Sequence, residues 1–239
     1  MRVFKEVPLR VLCIFAHPDD ADVGAGGTIA KWSSAGAIIT LVVACKGEKG
    51  TVDASIPSTI LAETRDLELK LSADTLGISS IEKLLIDDGE VENNSLLRTK
   101  LVTLIRSFKP QIVLSHDPTA IFFGATYFNH RDHRELGFAV LDSVLPASHL
   151  PHYFPEAGPA HSVERVFLSG TQNPTISVDV SSTIKLKVKA ALCHKSQVGM
   201  RSQQLSDSIK ESAKHLGKRV GVECAEYFRD IANGRGSFE

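Results

Sequence analysis

Two short stretches of this chain carry residue types that can hold a cation and move a proton. His17, Asp19 and Asp20 follow an apolar run, and His130, Asp132 and His133 stand far downstream. Neighbouring carboxylates repel each other unless something positive lies between them. A divalent cation supplies that charge, with one carboxylate as ligand and its neighbour free to take a proton from water. A plainer reading makes Asp19 and Asp20 turn or cap residues; His17 before them and the glycines Gly24, Gly26 and Gly27 behind favour the cation. His130 and His133, three apart, share one side of a helical turn. Asp132 and Glu135 also have the spacing of a capping box opening a helix over 136–145. That would place His133 in a first turn, where the helix dipole keeps imidazole neutral, as a metal ligand must be. His17, Asp20 and His133 then make a two-nitrogen, one-oxygen set with room for water, the composition of a catalytic zinc site. Iron, cobalt or nickel accept the same ligands. Asp19 is suited to act as general base. His130 is suited to protonate a leaving group or steady an oxyanion, and Asp132 to orient His130 in competition with its cap.

Elements with a regular alternation position these residues. A buried strand over 11–16, a glycine-bearing turn and a helix ending near Gly36 form the front of a βαβ unit. In such sheets ligands bind beyond the carboxyl ends of the strands. Further strands are expected over 37–45, 81–86 and 112–114, and helices over 61–76 and from Ser95, a candidate cap, to Pro110. Leu61, Leu67, Leu69, Leu71 and Leu76 supply the apolar positions of the first of these helices. His116 and Asp117 fall just past a strand, with no task assigned to them. Residues 121–129 read as an aromatic loop and 146–159 as a lid or a connection. Strands are expected over 163–168 and 175–180, and helices over 183–194 and 203–218. The tail from Gly234 is expected to fray. The pattern predicts an α/β fold: a Rossmann-like, doubly wound, mostly parallel sheet with helices on both faces and an elaborated C-terminal part, in one domain over 1–239.

A formal net charge of −1 with mixed signs argues against a nucleic-acid or anionic-membrane partner recognised by bulk charge. The four cysteines form no CxxC pair, so reduced thiols in a cytoplasmic protein are expected. No apolar stretch is long enough for a signal h-region or a bilayer span. The glycine-rich turn departs from the dinucleotide fingerprint, because His-Pro-Asp-Asp precedes it and two carboxylates would repel a pyrophosphate. Those glycines more plainly let the first helix approach closely.

AHPDDADVGAGGT over 16–28, with HRDH over 130–133, resembles the PIG-L/LmbE-like zinc-dependent N-deacetylases. Fainter echoes are RDLEL over 65–69, DGE over 88–90 and HKSQ over 194–197, so the likeness spans nearly the whole chain. It implies Zn2+ on His17, Asp20 and His133, catalysis by Asp19, and an acid or electrophilic role for His130 supported by Asp132. It also implies that Arg65 reaches the substrate, against the bland alternative of a surface ion pair with Glu68. His194 is a further substrate-binding candidate, or else a helix-end residue facing the dipole. The implied activity is hydrolysis of an acyl amide, an acetyl group, on an amino sugar of the N-acetylglucosamine type, by a homo-oligomer. Departures are Ala21 for glutamate, Arg131 for proline, and Phe128 (with Tyr127 beside it) for a tyrosine of some relatives. A metal-dependent phosphoesterase and a non-catalytic nucleotide- or sugar-binding module on the same fold are the rival readings.

Overall fold

Apolar runs too continuous for a half-solvated sheet must be covered on both faces, and the computed structural model, which describes residues 1–232, shows how. In chain order the elements are β1 (Arg2–Val3), β2 (Arg10–Phe15), α1 (Asp20–Ser34), β3 (Ile38–Cys45), α2 (Ser58–Leu76), β4 (Ser80–Ile86), α3 (Ser95–Phe108) and β5 (Ile112–His116). A small hairpin, β6 (Phe122–Phe123) and β7 (Tyr127–Phe128), occupies the stretch read as an aromatic loop. Then come α4 (Arg131–Asp142), β8 (Arg165–Ser169), β9 (Ile176–Asp179), α5 (Ile184–Ala191), α6 (Lys195–Val198), α7 (Ser202–Val220) and β10 (Ala225–Ala232). The tail from Gly234 lies outside the described residues.

The main sheet has the order β4-β3-β2-β5-β8-β10-β9-β1. From β4 to β8 every pairing is parallel, as the doubly wound reading requires. β10 and β1 were not anticipated: β1 pairs with β9, and β10 inserts antiparallel between β8 and β9. Alternate residues of β2 serve two cores. Val11, Cys13 and Phe15 pack beneath α1, while Leu12 and Ile14 join Leu97, Leu101 and Ile105 of α3 and Leu136 and Val140 of α4. The chain leaves β2 toward β3 on one side and returns to β5 on the other. The carboxyl ends of β2 and β5 therefore flank the crevice where strand order reverses.

Close approach of α1 depends on its glycines. A Cβ at Gly27 would lie 2.9 Å from Val180 and 3.1 Å from Glu226 Oε1, and that carboxylate accepts the backbone N–H groups of Gly27 (2.9 Å) and Thr28 (2.7 Å). Glu226, on β10, is in turn held by Lys187 Nζ at 2.5 Å.

Three local expectations are corrected. Asn94, not Ser95, caps α3, its Oδ1 accepting from the Leu97 N–H at 3.0 Å. Leu67 and Leu71 face solvent, so the buried side of α2 is made by Leu61, Leu69 and Leu76 together with Arg65, Glu68 and Ser72. α4 stops at Asp142, and the helical backbone that continues over Ser143–Ser148 is broken by a kink at Leu145, whose dihedrals are extended (φ −143°, ψ 124°). Residues 146–159 are a connection and not a lid: they wrap around the buried Arg106, in the last turn of α3, at the end of the sheet opposite the crevice. Its guanidinium donates to the carbonyls of Ala147, Ser148, Leu150, Tyr153, Phe154 and Gly158. Arg106→Met leaves these acceptors without their shared donor, and is expected to cost about 3–5 kcal/mol. Thermal unfolding should show it as a Tm lower by roughly 10 °C; an unchanged Tm would refute the assignment.

All four cysteines are free thiols. No helix among the described residues is long and apolar enough to cross a membrane.

Candidate active site

The crevice is built where β2 passes into α1 and where α4 begins. His17 leaves β2 and Asp20 opens α1, the His17 backbone N–H donating to Asp20 Oδ2 at 2.7 Å, which folds the carboxylate back beside the imidazole. His133 lies in the first turn of α4, as expected, but for a different local reason. The cap of that helix is His130, whose Nδ1 accepts the Asp132 N–H at 3.2 Å, and Asp132 does not close a capping box. Glu135 instead accepts the Asn93 N–H at 3.1 Å.

His17 Nδ1, Asp20 Oδ2 and His133 Nε2 form a triangle with all three sides 3.2 Å. A tetrahedral cation with bonds of about 2.0 Å has corners about 3.3 Å apart. The donor set thus fits such an ion in spacing as well as in chemistry. The outer nitrogen of each imidazole is also fixed, as ligating histidines require. Asn129 Oδ1 lies 3.0 Å from His133 Nδ1, which assigns the hydrogen to Nδ1 and leaves Nε2 bare. His17 Nε2 faces Asp88 Oδ1 and Asp132 Oδ2, each at 3.3 Å.

Asp132 therefore orients His17 more closely than His130, whose Nδ1 is 3.7 Å from the same oxygen. Its side chain is 0 % exposed and also accepts the N–H groups of Gly89 (2.7 Å) and Val91 (3.2 Å). Burial works against this charge, but the bonds from His17, Gly89 and Val91 outweigh it and draw the carboxyl down to about 2. Burial likewise opposes charge on His17, yet the Asp20 carboxylate and the bonds to Asp132, Asp20 and Asp88 push it up to about 12. Asp20 is held well below the usual carboxylate range by His133, His17 and His116 against its own desolvation.

A proton therefore occupies His17 throughout the ordinary pH range, and a cation must displace it to reach Nδ1. Binding releases about one proton, so the apparent Kd should fall about tenfold per pH unit between about pH 6 and 8. Metal titration against a competing chelator, corrected for the chelator's own protonation, checks this; a flat profile would refute it.

Asp19 stands beside the triangle. Arg65 Nη2 donates to its Oδ1 at 2.8 Å and Nη1 to the Gly47 carbonyl at 3.0 Å. Arg65 is only 3 % exposed, so it reaches the site through Asp19 and not as an open substrate contact. Gly47, at φ +72°, has no room for a side chain, since a Cβ there would lie 2.5 Å from Arg65 Nη1. The surface pair with Glu68 is absent: Glu68 accepts the Ser196 N–H and hydroxyl, both at 2.7 Å. His130, 45 % exposed at its side chain, packs edge-on to His17 with ring centroids 4.9 Å apart. Burial, then the His17 charge, lowers its pKa. With Nδ1 accepting, the neutral ring carries its hydrogen on Nε2. His194 is buried away from the triangle, its Nε2 3.0 Å from Asp22 Oδ2.

Three contributors escaped the residue patterns. Asp88 and Asn129 hold the outer faces of the ligand histidines; the only sequence signal was their place within DGE and NHRDH. His116, at the end of β5, stacks on His133 at 4.0 Å and 7°, and its Nε2 accepts the Ala16 N–H at 3.1 Å. Burial and the neighbouring His133 depress it to about 4, so this ring is a neutral support.

Known proteins resemble this chain in sequence and in fold. The family model described as PIG-L, GlcNAc-PI de-N-acetylase, matches residues 12–144. The diacetylchitobiose deacetylase of Thermococcus kodakarensis is 34% identical over 227 residues, covering 93% of this chain and 83% of that protein. A 1D-myo-inositol 2-acetamido-2-deoxy-alpha-D-glucopyranoside deacetylase of Actinosynnema mirum is 25% identical, covering 96% of this chain and 98% of its own length. Among solved structures, N,N'-diacetylchitobiose deacetylase from Pyrococcus horikoshii superposes with a TM-score of 0.86 at 32% identity, over 94% of this chain and 84% of that one. Sequence, fold and the converging crevice lead to one assignment: this chain belongs to the PIG-L family of de-N-acetylases.

Proposed function

We propose that the protein is a metal-dependent hydrolase that removes the acetyl group from the amide nitrogen of an N-acetylated amino sugar. The observation that carries this is the 3.2 Å triangle of His17 Nδ1, Asp20 Oδ2 and His133 Nε2 with a spare carboxylate, Asp19, at its side. The names of the relatives supply the substrate class. When bound, a divalent cation on the three ligands supplies Lewis acidity to the acyl oxygen and lowers the pKa of water. Two nitrogens and one oxygen at tetrahedral spacing favour Zn2+ as that ion.

The remaining work falls to the chain's own groups. Asp19, fixed by Arg65, accepts a proton from the attacking water as its oxygen bonds to the acyl carbon. His130 Nε2–H is the donor on the opposite flank, for the developing oxyanion or for the amine nitrogen as the C–N bond breaks. Asp132 and Asp88 keep His17 aimed, and Asn129 and His116 keep His133 aimed. The same reading takes residues 1–239 as one domain of a cytoplasmic homo-oligomer acting on small molecules rather than nucleic acid. Acetate release from N-acetylated amino sugars by metal-loaded protein tests it. Phosphate release from phosphomonoesters without acetate release would replace it.

A further inference from the structure

The inner side of α2 is spent on the crevice and the core, and its outer side is apolar where a solvated helix would be polar. Ile60, Leu67 and Leu71 are 50 %, 62 % and 58 % exposed. With Thr64 they follow the alternating steps of four and three of a coiled-coil seam, and all four positions fall within an arc of about 60° on the helix. Singly exposed leucines are ordinary, whereas a contiguous apolar stripe with a charged rim marks a surface that another molecule covers. Thr64 suits a covered stripe: its hydroxyl already donates to the Ile60 carbonyl at 2.8 Å, so burial leaves that donor satisfied. Val52 and Ile56, exposed in the segment before the helix, extend the apolar surface past its N-terminal end.

Charges along one rim of the stripe identify the occupant. Asp66 is shared by two lysines, Lys70 at 2.8 Å and Lys83 at 2.6 Å. Glu63, one turn earlier, is exposed, and its carboxylate has no partner among the described residues. One cation is thus in excess and one anion in want, a heptad apart on the same rim. If Ile60 and Leu67 take the d positions of a heptad, Thr64 and Leu71 take a, and Glu63 and Lys70 both take g. In an antiparallel helix pair, a packs against d and g faces g. Against a second copy of α2, Ile60 then meets Leu71, and Thr64 meets Leu67. That register also sets Glu63 opposite Lys70 of the second copy. A two-fold axis repeats every contact, so the apolar seam and the ionic rim close together. An anionic membrane surface suits the stripe less, because Glu63, Asp66 and Asp74 stand along it.

We propose that the outer face of α2 is a two-fold interface between two copies of this chain, packed antiparallel with Ile60 on Leu71 and Glu63 on Lys70 of the second copy. This rests on the homo-oligomer reading and gives it a face; it stands apart from the hydrolytic chemistry, which acetate release tests separately. Sedimentation velocity of the full chain across a concentration series is the test. The parent should sediment as a dimer or a multiple of one, and Leu67→Lys, which sets a charge into the stripe, should halve the assembly. Glu63→Lys and Lys70→Glu, each alone, oppose like charges across the axis and should raise the dissociation constant about tenfold or more. The two together restore opposite charges and should return it to within about threefold of the parent. Both positions are exposed, so these variants keep the test open should Leu67→Lys misfold. A parent that assembles but ignores Leu67→Lys and both single reversals would overturn the face and leave the homo-oligomer reading intact, as would a double reversal no better than either single one. A parent monomeric throughout would overturn both readings; its sedimenting with phosphatidylglycerol vesicles would then assign the stripe to a membrane surface instead.

Discussion

Replacing Asp19 by asparagine is expected to lower kcat for acetate release by about 10²–10⁴-fold, the range a positioned general base contributes. The metal content should not change, because His17, Asp20 and His133 are untouched, and Arg65 still finds an amide oxygen where it now donates to the carboxylate at 2.8 Å. The variant thus separates proton transfer from cation binding. The amide keeps the shape and the hydrogen bond of the carboxylate but cannot take the proton. Acetate release at the parental rate would remove Asp19 from the chemistry.

His133→Ala should have an effect at least as large by another route. It deletes one corner of the triangle, leaving His17 Nδ1 and Asp20 Oδ2 as the only two of its three donors. A cation stabilises transition-state charge by several kcal/mol, and at about 1.4 kcal/mol per decade its loss removes three orders of magnitude or more. Metal analysis after dialysis should find the variant empty where Asp19→Asn is full. The parent retaining its ion no better than His133→Ala would break the assignment. The fold should survive, since the ring faces the crevice and His116, stacked against it, belongs to β5.

Much of this arrangement could be read from residue order, and the misreadings have a common cause. The run before His17 had to be a two-faced strand, and the glycines after Asp20 a close helix approach; the contact of Gly27 with Val180 and Glu226 is that approach. The pairing of His17 and Asp20 with His133 was legible because a cation needs a complete ligand set. Asp132 was misread because a capping box is a local rule. Its carboxylate is instead taken by backbone N–H groups of Gly89 and Val91, from a loop no local pattern connects to α4. Arg65 was read as reaching the substrate, with a surface pair to Glu68 as the alternative; its contact with Asp19 was not legible, since only packing shows that its guanidinium is buried there. Leu67 and Leu71 were counted with Leu61, Leu69 and Leu76 as the apolar positions of α2 but face solvent, because the inward side of α2 carries Arg65, Glu68 and Ser72 as well. The strand β10 was overlooked because AEYFRDIA mixes charges into a weak alternation, and its neighbours in the sheet are set by topology.

That last strand has a bearing on how the molecule comes into being. β10 is the final described element to be synthesised, yet it sits between β8 and β9, and its Glu226 clasps the backbone of the helix that begins with Asp20. Without β10 the sheet would present two facing strand edges, β8 and β9, with nothing between them, the kind of template that recruits other chains. It would also hold the ligand helix without its rear clasp. The continuity of the sheet and the seating of the ligand helix therefore depend on the same strand.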